Sequence, residues 1–189
     1  MRKVSVFNQI SLDGYFTDAK DDMSWAHEGS DDPEWKEYVA GNASTGEGTL
    51  LFGRITYQLM AGYWPTPMAA QHDPKVAEGM NRLKKVVFSR TLETVSWSNT
   101  TLIKTDPAAA VRKMKEESGA DMVIMGSGTI ISLLAQEGLI DAYTFVLSPL
   151  ALGKGRTMFE SVTKRVDMKH TGTRTFKNGK VVLNYESMK

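Results

Sequence analysis

The order of its elements predicts an α/β protein built on a largely parallel sheet. Three observations carry that prediction. Short, continuous apolar runs recur through the first three quarters of the chain, at 48–53, 84–89 and 122–125, the pattern of strands covered on both faces. Stretches of helical periodicity separate them, as parallel pairing through helical crossovers requires. Near the end, Asn178-Gly179 stands between two strand-like runs, 168–176 and 181–185, and predicts a hairpin that adds antiparallel strands at an edge.

Bulk properties set the frame. The chain has 189 residues, enough for a single domain over 1–189 with a substantial core. A net charge of +1 gives no electrostatic reason to expect nucleic acid or an anionic membrane as a partner. Cysteine is absent, which removes disulfides, thiolate metal sites and a cysteine nucleophile. No run approaches the roughly 18 uninterrupted apolar residues of a membrane span, and the N-terminus enters a strand at once. A cytoplasmic protein is expected.

Taken in order, 3–10 reads as a first strand, and Asp13-Gly14 after it is a turn signal. The acidic stretch 18–32 is expected to be a surface loop. Asp32-Pro33 starts a helix carrying Trp35, Tyr38 and Val39 and fraying at Gly41. Gly53-Arg54 joins the strand at 48–53 to a helix that Tyr63-Trp64-Pro65-Thr66-Pro67 breaks. A helix over 72–83 starts around Asp73-Pro74, and 84–89 is a third strand. A short strand is expected within 95–103, and a helix from Asp106-Pro107 to Gly119. After 122–125, apolar residues at Ile130, Ile131, Leu133 and Leu134 change to a helical period. Strand 143–147 follows, then an irregular loop at 149–156.

The joint Gly126-Ser127-Gly128 lies where the period changes. A tight strand-to-helix turn through glycines aims backbone N–H groups outward from a helix N-terminus, where a phosphate can sit. A packing turn explains the same residues. The dinucleotide fingerprint wants a third glycine where Ile131 stands, so that motif is not met. Two other strand ends look similar: Gly53-Arg54-Ile55-Thr56 and Ser89-Arg90-Thr91. In open α/β sheets, ligands bind at the carboxyl ends of strands. Recurrent hydroxyls and two arginines there suit a ligand bearing several phosphates.

With these residues in hand, the chain resembles the dihydrofolate reductase-like superfamily. Within it, the chain is similar to the C-terminal reductase domain of the bifunctional riboflavin-biosynthesis deaminase–reductase. The resemblance rests on Ser11-Leu12-Asp13-Gly14, Gly53-Arg54-Ile55-Thr56-Tyr57, Ser89-Arg90, Gly126-Ser127-Gly128, and Pro149-Leu150-Ala151-Leu152-Gly153-Lys154-Gly155 followed by Phe159. It implies a three-layer fold with helices on both sheet faces. It also implies NADPH as cofactor. Arg54 and Thr56, beside Gly53, would hold phosphate; Ser89 and Arg90 would meet the adenosine 2′-phosphate. Gly126, Ser127, Gly128, Thr129 and Ile130 would carry the pyrophosphate, with Asp13 and Gly14 near the nicotinamide. The expected activity is hydride transfer to a small pterin-like, pyrimidine-like or carbonyl substrate, with an NADP(H)-binding module lacking turnover as the alternative. A homodimer is implied as well. The short chain, with no deaminase portion, is not expected to be the full bifunctional enzyme.

Hydride transfer also needs a proton. Asp13 is the motif-matched candidate, against a purely turn-forming role; Asp32, Glu34 and Glu37 are further candidates, against roles as solvated helix residues. Trp25, Trp35, Tyr63 and Trp64 are candidates to wall a flat substrate, with Tyr63-Trp64-Pro65 preferred and core packing the expected role of Trp35; Lys154 and Arg156 are candidates to contact a substrate phosphate, against a solvated loop. His27, His72 and His170 lack ligand spacing, and no metal is expected.

Overall fold

In the computed structural model, residues 1–29, 31–44 and 47–188 are described. They form β1 (Val4–Ser11), β2 (Tyr15–Asp18), a 3-10 turn at Ser24–His27, α1 (Pro33–Ser44), β3 (Thr49–Gly53), α2 (Arg54–Tyr63), α3 (Pro67–His72), α4 (Pro74–Arg82), β4 (Lys84–Phe88), β5 (Thr100–Ile103), α5 (Pro107–Glu116), β6 (Met122–Met125), α6 (Gly128–Gln136), β7 (Ala142–Ser148), β8 (Gly155–Thr157), β9 (Met168–Thr175) and β10 (Val181–Ser187). The main sheet runs β5-β4-β3-β6-β1-β7-β10-β9. Its pairings are parallel from β5 to β7, and β10 and β9 join antiparallel. The expected parallel sheet with a C-terminal hairpin at its edge is therefore present.

Side-chain alternation divides the strands between two cores. On one face Val4, Val6, Leu51, Val86, Met122 and Ile124 pack with Ala108 and Val111 of α5 and with Ile130, Ile131 and Leu134 of α6. On the other face lie two separate clusters. Leu50, Phe52 and Val87 meet Tyr57 of α2 and Met80 of α4. Val146, Val182 and partly buried Phe7 meet Trp35 of α1. Between these clusters, Ser5, Phe7 and Gln9 of β1 and Val123 and Met125 of β6 are only half-buried. α1 and α4, which lie over these two clusters, also contact each other, and the five side chains stay half-buried on that face.

The sheet edge is also stepped. β1 stays in register with β6 only to Phe7↔Met125, whereas with β7 it continues to Ser11↔Ser148. Residues 8–11 therefore project beyond the end of β6, by about 13 Å at the usual rise of a strand.

Three sequence expectations change. The stretch 18–32 is not simply a surface loop, because Trp25 and Ala26 are buried in the 3-10 turn. Thr66-Pro67 does more than break α2: Thr66 accepts from Ala69 N and starts α3, so three helices, α2, α3 and α4, lie between β3 and β4. The loop at 149–156 contains the start of β8, which pairs with β2 as a separate ribbon. A Cβ on Gly155 would stand 1.9 Å from the Thr17 carbonyl oxygen, so only glycine permits that approach.

Candidate active site

Four adjacent parallel strands, β4, β3, β6 and β1, end side by side. Their carboxyl ends carry Ser89-Arg90, Gly53-Arg54, Gly126-Ser127-Gly128 and Ser11-Leu12-Asp13-Gly14 in that spatial order. Three inter-strand spacings separate the first from the last, about 14 Å. The motifs dispersed over the sequence thus line one edge of the sheet.

At the centre, the β3–α2 and β6–α6 joints lock together. Gly126 (φ +60°) and Ser127 (φ +61°) are both left-handed, which turns β6 sharply into α6. Gly53 N donates to Ser127 Oγ at 2.8 Å. A Cβ on Gly126 would lie 2.9 Å from Thr56 Cγ2, and one on Gly128 would lie 2.8 Å from Phe16 Cε1. The turn is wedged between α2 and the β2–β8 ribbon, which brings two helix N-termini together. Both dipoles then present positive ends to the same place. Ser127 O already accepts from Ile130 N and Ile131 N. Ile130 is buried as well, so the amides left for an anion are those of Gly128 and Thr129. Ile130 is therefore withdrawn from the expected set. Thr129 is exposed, and Arg54 is exposed with Nη1 on Gln58 Oε1 at 3.1 Å.

At the outer flank, Ser89 Oγ accepts from Thr91 N at 3.2 Å and Leu92 N at 2.9 Å. This tight turn holds Arg90 at the surface beside the strand end. Two guanidinium groups, two helix N-termini and several hydroxyls make a donor set for a dinucleotide with an extra phosphate.

At the other flank, Gly14 takes φ +87° and closes a turn onto Ser11 O. Asp13 faces a different task from the proton donation expected of it. Its carboxylate accepts from Ser11 Oγ at 2.6 Å, Leu152 N at 3.1 Å and Gly153 N at 2.7 Å. The Ser11 hydroxyl and then the Gly153 amide pull its pKa down to about 2. At neutral pH it is an anion that fastens the loop after β7 to the end of β1. Asp32 is likewise occupied, accepting from Glu34 N, Trp35 N and Asn178 N. Glu34 pairs with Arg174 at 2.8 Å, and Glu37 is exposed.

Trp64 is a correction. α2 runs back along the sheet from the end of β3, so Trp64 lies toward the amino ends of the strands. Its carbonyl accepts from Asn81 Nδ2, and Asn81 O accepts from Lys85 Nζ near the start of β4. Its ring packs in the second cluster with Nε1 on Met60 Sδ, far from the strand-end groove. Lys154 is exposed in an open depression shared with Arg156, which pairs with Glu160 at 3.8 Å, and with Asp18 and Asp21, whose carboxylates oppose a phosphate. Among the described residues, no group of three or more His, Cys, Asp or Glu is gathered as a metal site, and no helix is long and apolar enough to cross a membrane.

The sequence reading missed the opposite wall. Lys180, just before β10, is 2 % exposed. Its Nζ donates to Gln9 Oε1 at 3.3 Å, Ala26 O at 3.1 Å and Ser148 Oγ at 3.0 Å. It also lies 5.4 Å from the Trp35 ring. Burial lowers its pKa. A lysine after Asn178-Gly179 reads as solvated, and nothing local marks it otherwise.

The family model of the RibD C-terminal domain matches residues 2–182. The chain belongs to that family. Among its relatives, YyaP of Bacillus subtilis (strain 168) is 29% identical over 137 residues, covering 72% of each chain. Two solved structures show the same fold as this RibD C-terminal domain. A protein of Shewanella sp. PV-4 assigned to riboflavin biosynthesis has a TM-score of 0.74 at 18% identity, covering 99% of both chains. Dihydrofolate reductase from Enterococcus faecalis, complexed with NADP(H) and RAB-propyl, has a TM-score of 0.65 at 12% identity, covering 99% of this chain and 97% of that one. The stepped parallel sheet with its terminal hairpin is thus the dihydrofolate reductase-like fold.

Proposed function

We propose that this protein is an NADPH-dependent reductase acting on a small pterin-like, pyrimidine-like or carbonyl substrate. One observation carries the reading. The N-termini of α2 and α6 converge at adjacent strand ends, flanked by Arg54 and Arg90 on one side and by half-buried Gln9 of β1 on the other. When bound, NADPH supplies hydride. The chain's own residues bind and orient: Gly128, Thr129 and Thr56 offer donors to the pyrophosphate, and Arg90 offers its guanidinium to the 2′-phosphate. Membership of the RibD C-terminal domain family and a fold shared with a protein complexed with NADP(H) support the assignment.

A second reading, cofactor binding without turnover, draws on the fact that Asp13, Asp32 and Glu34 are all engaged in structural bonds. Proton delivery would then fall to water, or turnover would be absent. Tryptophan quenching on NADPH titration tests binding, and loss of nicotinamide absorbance with pterin, pyrimidine and carbonyl acceptors tests turnover. Binding with oxidation supports the reductase; binding with no oxidation by any acceptor supports the module. Absence of binding removes both readings. Arg90→Ala should weaken NADPH at least about tenfold, as loss of a charge-assisted contact does, while leaving NADH nearly unchanged. Equal losses for the two cofactors would refute the 2′-phosphate assignment.

A further inference from the structure

The geometry points to Gln9 as the residue that reads the bound ring, through a side-chain amide whose orientation Lys180 fixes. This rests on the reductase reading above and adds the recognition chemistry of its substrate side. An ammonium has three donors and no acceptor. Lys180 can therefore bond Gln9 only through the amide oxygen, at 3.3 Å. The amide is locked one way round, and its Nε2 must point elsewhere. No described residue accepts from that nitrogen.

The place where Nε2 is presented follows from the strand. Gln9 alternates with Phe7, so it faces the side of the sheet that α1 covers. It lies in the stretch of β1 that projects past the last β6 pairing, Phe7↔Met125, and so stands alongside the Gly126-Ser127-Gly128 turn. It is half-buried, unlike Lys180 and Ser148 behind it.

Every hydrogen-bond partner of Lys180 is neutral: Gln9 Oε1, Ala26 O and Ser148 Oγ. Burying an ammonium with no carboxylate bonded to it is costly, and Glu28 offsets that only through space. In return, one cation fixes β1, β7 and the 3-10 turn and sets the polarity of the amide. Lys180 is a positioning residue, and Gln9 is the group that meets the ring. A donor NH2 on this half-buried side chain, set against the exocyclic position of a ring, is complementary to a carbonyl oxygen there. An exocyclic amino group in the same place would oppose donor to donor. The site should therefore select an oxo-substituted heterocycle over its amino counterpart.

Folic acid and aminopterin differ at one ring position, oxo in the first and amino in the second, and serve as probes. Their dissociation constants are measured on the full chain saturated with NADPH. Folic acid should bind at least about tenfold more tightly, the scale of an opposed buried polar pair. In Gln9→Glu, one carboxylate oxygen takes the Lys180 ammonium and the other faces the ring as an acceptor, so the preference should reverse. In Lys180→Met the amide can turn over, and the preference should shrink to within about threefold while NADPH affinity holds. A purely structural role for Lys180 would weaken both probes alike and leave their ratio unchanged. If Lys180→Met does not fold, Gln9→Glu and Gln9→Leu carry the test, the latter abolishing the preference. Equal or tighter binding of aminopterin to the unmodified protein would overturn the proposal. So would an unchanged ratio in Gln9→Glu, or failure of both probes to bind while NADPH binds. Failure of NADPH itself to bind would remove the reductase reading and this proposal with it.

Discussion

Replacing Gly128 by alanine tests whether the β2–β8 ribbon forms a wall of the cofactor groove. The added Cβ would stand 2.8 Å from Phe16 Cε1 and 2.9 Å from Cζ. Carbon atoms in contact sit about 3.5–4.0 Å apart, so roughly 0.7 Å of overlap must be relieved. Phe16 is 6 % exposed and belongs to the main core, so its ring cannot simply swing into solvent. Overpacking of this kind costs about 1–3 kcal/mol. Alanine at the start of α6 returns at most about 1 kcal/mol of helix propensity. A net loss of about 1–2 kcal/mol would lower Tm by about 2–8 °C in a chain of this size. Thermal unfolding of Gly128→Ala, Phe16→Leu and the double variant closes a cycle. In the Phe16→Leu background the alanine should cost little, a coupling of at least about 1 kcal/mol. Equal destabilisation in both backgrounds would refute Phe16 as the obstacle. The ribbon also borders the Gly128 and Thr129 amides, so Gly128→Ala should weaken NADPH. A destabilised variant with unchanged NADPH affinity would take the ribbon out of the cofactor wall.

Two further outcomes follow from buried or tethered charges. Lys85 is 1 % exposed, and its ammonium reaches only Asn81 O, Leu83 O, Ser98 O and the Trp97 ring. Burial lowers its pKa from 10.5 to about 8. Between those values the unfolded chain holds more protons than the folded one, so stability should rise with pH through that window. The gain is at most about 3 kcal/mol, because the carbonyls and ring favour the charged form. Tm measured from pH 8 to 10 should climb in the unmodified protein and climb less in Lys85→Met, where the other buried lysine, Lys180, still contributes; identical slopes would contradict it. For Asp13, the folded pKa of about 2 lies below its ordinary 3.8, so its tether is intact above pH 4 and is lost as pH falls through the lower value. Asp13→Ala should speed hydrogen exchange at the Leu152 and Gly153 amides at neutral pH. Unchanged protection there would mean that the carboxylate does not hold the loop.

Much of the architecture was legible because it rests on period and punctuation. Continuous apolar runs marked β3, β4 and β6, and Asn178-Gly179 marked the hairpin, since these signals lie within a few residues of each other. The strand-end motifs were legible for the same reason, each being a local turn. What escaped was decided by partners distant in sequence. β2 and β8 have 4 and 3 residues, too few to show alternation, and they exist because Gly155 lets the two backbones meet. Asp13 looked like chemistry until Leu152 and Gly153 claimed it across more than a hundred residues. Trp64 looked like a pocket wall because helix direction is invisible in composition. Lys180 carries no motif in the sequence, while its partners in space come from β1, β7 and the 3-10 turn.

The stepped edge has a consequence for how the molecule is made. β1 precedes β7 by more than a hundred residues, yet among the described residues its projecting end pairs with β7 alone, whose partner β10 comes later still. The contact between Lys180 and Gln9 spans 171 positions. Such long loop closures raise the contact order and slow the approach to the native state. A nascent chain can build the β3–β6 half and the proposed phosphate site early, but the rim that carries Lys180 waits for the β9–β10 hairpin. Cofactor affinity should accordingly emerge before substrate selectivity as the chain lengthens on the ribosome.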